Sequence, residues 1–175
     1  MNRRWLLIPL LMLGALLNGC GFQPRGTLPG QMQAGDLPYL DVVGDRQNAD
    51  LEFMLRRALI IQGFAREPGQ AAPIRVKLLG THQYEMPLSY DQRIQVAEYR
   101  LVRSVSYRLI ELQGKERSIP LQVSAERNYP AAPQNPSAYR QQLDEAVASI
   151  NQELATRMAA QLAKLCATEP ASCRP

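Results

Sequence analysis

The side chains able to do chemistry in this 175-residue chain are few and scattered: three cysteines, Cys20, Cys166 and Cys173, and a single histidine, His82. Two late cysteines and one distant histidine have neither the number nor the spacing of a metal-ligand set. No glycine-rich phosphate loop and no nucleophile elbow occurs. A Ser-His-Asp arrangement would have to use His82, which the alternation around it places on the apolar side of a strand, a poor site for a general base. The residues therefore favour a binding or structural protein over an enzyme, with no cofactor. Cys20 stands apart because of what precedes it. Arg3 and Arg4 give a positive start, Trp5 to Leu17 an apolar run, and Gly19 a small residue, which is the layout of a secretory signal over residues 1–19. The run is too short to span a bilayer, since crossing takes about 20 apolar residues.

The stretch Leu17-Asn18-Gly19-Cys20 resembles the lipobox of bacterial lipoproteins, in which Leu stands three positions before the cut, a small residue just before it, and Cys becomes the new first residue. Asn18 departs from the Ala, Ser or Thr that is commoner there, and an ordinary secreted protein with a plain thiol at Cys20 is the alternative. The resemblance implies a diacylglycerol on the Cys20 sulfur and a third acyl chain, palmitate in type, on its amine. At roughly 0.8 kcal/mol per buried CH₂, three chains form a firm anchor. Gly21-Phe22-Gln23 lack the Asp that retains such lipoproteins in the inner membrane, which implies the periplasmic side of the outer membrane.

The leader would take two of the 20 basic side chains and none of the 16 acidic ones. What remains is nearly neutral, which argues against bulk capture of nucleic acid. An oxidising compartment would permit Cys166 and Cys173 to pair; spacing alone leaves a bridge and two free thiols equally open.

These residues need elements to position them. Residues 20–36 are rich in Gly, Pro and Gln and read as an irregular tether; 16 extended residues reach about 50 Å. Leu37 to Val43 reads as a first strand. Asn48 then caps a helix with Leu51, Met54, Leu55, Ala58 and Leu59 on its buried face, Arg56 and Arg57 solvated, and Gly63 at its end. In the next segment Ile74, Val76, Leu78, His82, Tyr84 and Met86 alternate with polar residues, one apolar face of a strand. Pro87 stops it, so that Met86 to Arg93 forms a loop with an apolar and cationic mix, suited to an amphipathic anion or else folded back on the sheet.

Ile94 to Leu112 is a second long strand. Arg103 interrupts its apolar series, through either a bulge or an arginine that points into a polar pocket or partner. Gln113 to Arg117 is a turn, and Ile119 to Tyr129 a third strand of the meander. Asn135 caps and Pro136 opens a last helix whose stripe runs from Tyr139 through Ile150, Leu154 and Met158 to Leu165. The fold class is α+β: a two-layer sandwich, order β-α-β-β-β-α, with two helices packed on one face of a four-stranded, mostly antiparallel sheet. The sandwich should occupy residues 37–166 and a short polar tail residues 167–175. The uncovered sheet face should be polar, and its long edges should be blunted.

The mature chain resembles the LPS-assembly lipoprotein family, LptE. The likeness rests on Cys20-Gly21-Phe22-Gln23-Pro24-Arg25-Gly26, on Gln95-Val96-Ala97-Glu98-Tyr99, on Asn135-Pro136 and on the element order. It implies a plug inside the outer-membrane β-barrel LptD that helps the barrel assemble and binds lipopolysaccharide on its way to the outer leaflet. Arginine offers paired donors to lipid A phosphates, so the resemblance points to Arg93, with Arg140, Arg75 and Lys77 behind it. The alternative role is a structural accessory lipoprotein of another envelope machine, such as a transporter auxiliary, without LPS binding. A lipid-tethered hydrolase would need His82 exposed beside a Ser or Asp in a cleft.

Overall fold

The computed structural model describes residues 37–64 and 74–173. The signal, Cys20 and the tether, residues 1–36, lie outside them. Every described residue belongs to one compact unit, Met32–Pro175.

The elements are β1 (Leu40–Val43), a 3₁₀ turn (Arg46–Asn48), α1 (Ala49–Ile61), β2 (Ile74–Tyr90), β3 (Val96–Glu111), β4 (Leu121–Pro130), α2 (Pro136–Thr168) and α3 (Pro170–Cys173). The sheet order is β1-β2-β3-β4, with β1 parallel to β2 and the other pairs antiparallel. The α+β sandwich expected from the alternation is therefore the fold observed. The core joins Leu51, Leu55 and Leu59 of α1, Val76 and Leu109 of the sheet, and Ile150, Leu154, Met158 and Leu162 of α2, all at most 2 % exposed. Burying each such side chain stabilises the fold by about 1.5–3 kcal/mol. Small Ala155 and Ala159, also buried, line α2 beside this stripe.

Local chemistry sets the helix ends. Asn135 Oδ1 accepts from the Ala138 amide at 3.1 Å, and Pro136 follows it, as the sequence indicates. At the start of α1 the cap is displaced. Asn48 makes no side-chain cap; Asp45 takes its amide instead, and the Asn48 carboxamide bridges Asp45 and Thr81. α1 closes with Phe64 donating to Leu59 O and Gly63 to Ile60 O, around a Gly63 φ of 95°, which costs glycine little.

Several readings of the sequence need correction, and one open alternative is decided. β2 does not stop at Pro87 but runs on to Tyr90. β1 pairs only with Ile74 to Lys77, so the far half of β2 is an edge strand, where a missing N–H is tolerated. Next, the register slips by one residue between Leu78 and Gly80, leaving Leu79 as a bulge. Past it the alternation inverts: His82, Tyr84 and Met86 lie on the open face, while Thr81, Gln83 and Glu85 turn toward the helix layer. Third, Arg56 is not simply solvated. It pairs with Asp41 and Glu52 and donates to Val42 O, while Glu52 accepts from the Gly44 amide. These side chains satisfy the free edge of β1. Of the two alternatives at Arg103 the bulge is excluded: the residue stays in register between Gln83 and Ala125 and points inward, 8 % exposed.

Residues 167–173, read as tail, carry the end of α2 and the turn α3. Cys166 and Cys173 are joined by a disulfide with Cα atoms 5.3 Å apart, and both are buried. Arg117, in the β3–β4 connection, pairs with Glu111 at 2.6 Å and donates to Ala171 O at 3.4 Å, which ties α3 to the end of the sheet.

Candidate functional site

The open face of the sheet divides along its length. Its half nearer β1 presents Arg75 and Lys77 from β2 and Arg108 from β3. Lys77 and Arg108 are direct register partners, two cations side by side, an unfavourable pairing unless an anion answers it. Arg108 is answered by Glu116 and Arg75 by Asp41, the latter at 3.8 Å. Lys77 has no ion-pair partner among the described residues.

Beyond the bulge exposed apolar side chains join the same face, among Arg100, Glu98 and Glu126. Tyr84, Met86 and Tyr90 stand on β2 beside Val102 and Val96 of β3, with Leu88 at a second register slip. The hairpin closes through Asp91, whose Oδ1 accepts from the amides of Arg93 at 2.8 Å and Gln95 at 2.9 Å. Ile94 sits at the tip with φ 60° and 84 % exposure. A β-branched residue in the left-handed region is strained by about 1–3 kcal/mol, and here it holds an apolar side chain in water. Arg93 stands next to it. The hairpin tip thus combines exposed apolar surface, the phenol of Tyr90 and a guanidinium.

On the inner side Glu85 Oε2 accepts from the hydroxyls of Tyr129 at 2.6 Å and Tyr139 at 2.8 Å. Tyr99 stacks against Tyr129 with centroids 5.7 Å apart. Burial and the Glu85 carboxylate push the Tyr129 phenol well above its ordinary value. This cluster pins the start of α2 to the sheet behind the hairpin. Arg103 also faces inward; burial lowers its guanidinium, against the pull of Asp50 in the first turn of α1.

The four cations singled out in the sequence are not gathered at one point. Arg93 is at the tip, and Arg75 and Lys77 lie at the opposite end of the open face, with about 40 Å of strand between Lys77 and Tyr90. Arg140 is on the outer side of α2, in a shallow depression with Pro136, Gln141 and Asp144. His82 is exposed on the open face opposite Ser104, with no hydrogen bond joining them, and no described cavity contains it. The exposed apolar run Tyr84–Met86 was missed because Leu78-Leu79-Gly80 conceals the bulge; two leucines in succession followed by a strand glycine are its sequence signal.

Among known proteins, a family described as LptE, Lipopolysaccharide-assembly, matches residues 39–165. Solved structures share the fold. Rare lipoprotein B from Shewanella oneidensis is 21 % identical with a TM-score of 0.59, covering 74 % of this chain and 96 % of that one. A minor lipoprotein from Acinetobacter baumannii is 18 % identical with a TM-score of 0.57, over 71 % of this chain and 90 % of that one. Lipoprotein B from Nitrosomonas europaea is 14 % identical with a TM-score of 0.56, over 81 % and 92 %. No curated protein matches the sequence.

Proposed function

The chain belongs to the lipopolysaccharide-assembly family LptE, and from that premise we propose that it is a non-enzymatic outer-membrane lipoprotein, anchored through Cys20, that plugs and helps assemble the LPS-translocon barrel LptD and binds lipopolysaccharide during delivery to the outer leaflet. The observation that carries the LPS half of this reading is the β2–β3 hairpin. It projects Tyr90, Ile94 and Leu88 beside Arg93, a pairing of apolar surface with a fork of donors that suits acyl chains joined to phosphates. The plug half rests on the family.

The test is twofold. The full-length lipidated chain, purified from membranes under mild detergent, should bring with it a large outer-membrane barrel, and it should bind purified LPS. Recovery of an inner-membrane transporter in place of a barrel, with no LPS bound, would move the chain to the accessory role.

A further inference from the structure

α1 is apolar on more than its buried side. Leu51, Leu55 and Leu59 face the core, yet Phe53, Ile60 and Ile61 recur at helical spacing on a second, outward strip and are 61 %, 44 % and 81 % exposed. Arg56 and Arg57 stand between them on the helix, yet three large apolar side chains this exposed mark a surface that another molecule covers. The contrast with α2 is sharp, because the outward side of that helix carries Arg140, Gln141, Asp144, Glu145, Glu153 and Arg157. The strip borders a cavity of about 250 Å³ between the two helices, lined by Phe53, Met54, Ala58 and Ile61 on one side and Gln152 and Ala155 among those on the other. One charge reaches it: the Arg57 guanidinium lies 5.9 Å from the centroid of the Phe53 ring and has no ion-pair partner among the described residues. Asp50 stands at the N-terminal end of the same strip.

We infer that the α1 strip and the groove between the helices form a docking surface for a segment of the barrel wall that carries an apolar side chain beside an acidic one, the apolar group entering between Phe53, Met54 and Ile61 and the acid meeting Arg57. Charge complementarity selects this occupant. A second cation would be repelled by Arg57, and an all-apolar segment would leave the guanidinium buried without a partner. The strip from Phe53 to Ile61 is about 12 Å long, the reach of a few barrel residues rather than of a whole domain. The inference rests on the barrel reading proposed above and says which side of the chain the barrel grips.

It is tested in the intact complex with a photo-crosslinking residue placed in turn at positions 53, 61, 84 and 160 of the full-length chain. Capture of the barrel at 53 and 61 over 160 is expected. With it, Arg57→Glu should reduce co-purified barrel by about tenfold or more, as loss of a hot-spot contact does, while Arg57→Lys reduces it far less and neither changes the melting temperature of the free chain. A barrel that co-purifies and crosslinks from 84 or 160 but not from 53 or 61 overturns the inference and leaves the functional reading standing. A barrel absent from the preparation and from every crosslink overturns both.

Discussion

Tyr129 on β4 donates its hydroxyl to Glu85 on β2 at 2.6 Å, reaching across β3, and Tyr139 on α2 donates to the same carboxylate oxygen. Three elements therefore meet on one acceptor. The phenols of Tyr129 and Tyr107 are held above their ordinary value, Tyr107 by burial and Tyr129 by burial together with Glu85. In the unfolded chain tyrosine loses its proton near pH 10. The folded state thus holds the proton longer, so this stabilisation is complete below about pH 10 and is lost as the pH rises through the higher folded values. Titration followed by tyrosinate absorbance should show a late-ionising fraction of the seven tyrosines. Tyr129→Phe should shrink it and flatten the alkaline fall in melting temperature; an unchanged profile would remove Tyr129 from this role.

Glu85→Ala should destabilise by about 1–2 kcal/mol, because two hydroxyls lose a charged acceptor, one of them buried. Denaturant unfolding measures this, and a loss below about 0.5 kcal/mol would mean that water replaces the carboxylate fully.

The Cys166–Cys173 bridge closes a short loop and should contribute about 2.5 kcal/mol by the chain-entropy model. Replacing both cysteines by serine should lower the melting temperature, and reductant should lower that of the natural chain alone. Equal melting temperatures with and without reductant would show that the bridge carries no stability.

Ile94→Gly should stabilise the hairpin by roughly 0.5–1 kcal/mol through relief of its positive φ, while weakening LPS binding by removing the apolar tip. Binding that survives this change would place the ligand elsewhere. Arg93→Glu combined with Arg140→Glu should likewise weaken binding of LPS to the full-length chain. Arg93→Glu alone should account for most of the loss, since Arg140 lies on the helix layer, away from the hairpin face.

Arg103→Met should leave stability unchanged or raise it, since an apolar isostere avoids the cost of burying a charge, whereas Arg103→Ala should cost about 2–4 kcal/mol through the cavity it leaves. Chemical denaturation of both variants distinguishes a structural arginine from one with an internal partner, whose loss would destabilise Met as well.

The element order, both helices, the start of α2 and the end of α1 were readable because periods of 2 and 3.6 residues, Asn135-Pro136 and Gly63 each act locally. What escaped depended on neighbours distant in sequence. Pro87 looks like a stop only if β2 is central throughout, and the short reach of β1 is invisible in the chain near Pro87. Arg56 looks solvated on a helical wheel, yet the edge of β1 lies beside it. The exposed side of α1 was legible in Phe53, Ile60 and Ile61, but a buried stripe explained the helix well enough to hide a second one. The placement of Arg93 at a hairpin end was readable, whereas its separation from Arg75 and Lys77 followed only once β2 proved continuous.

The bulge at Leu79 makes the dress of the distal face depend on how many residues precede it rather than on which residues they are. With one residue fewer, Tyr84 and Met86 would turn to the helices and Glu85 to the solvent, with no side chain altered beyond the deletion. A single codon gained or lost would therefore change which side chains the distal face presents, and would cost the hydrogen bonds of Tyr129 and Tyr139 to Glu85.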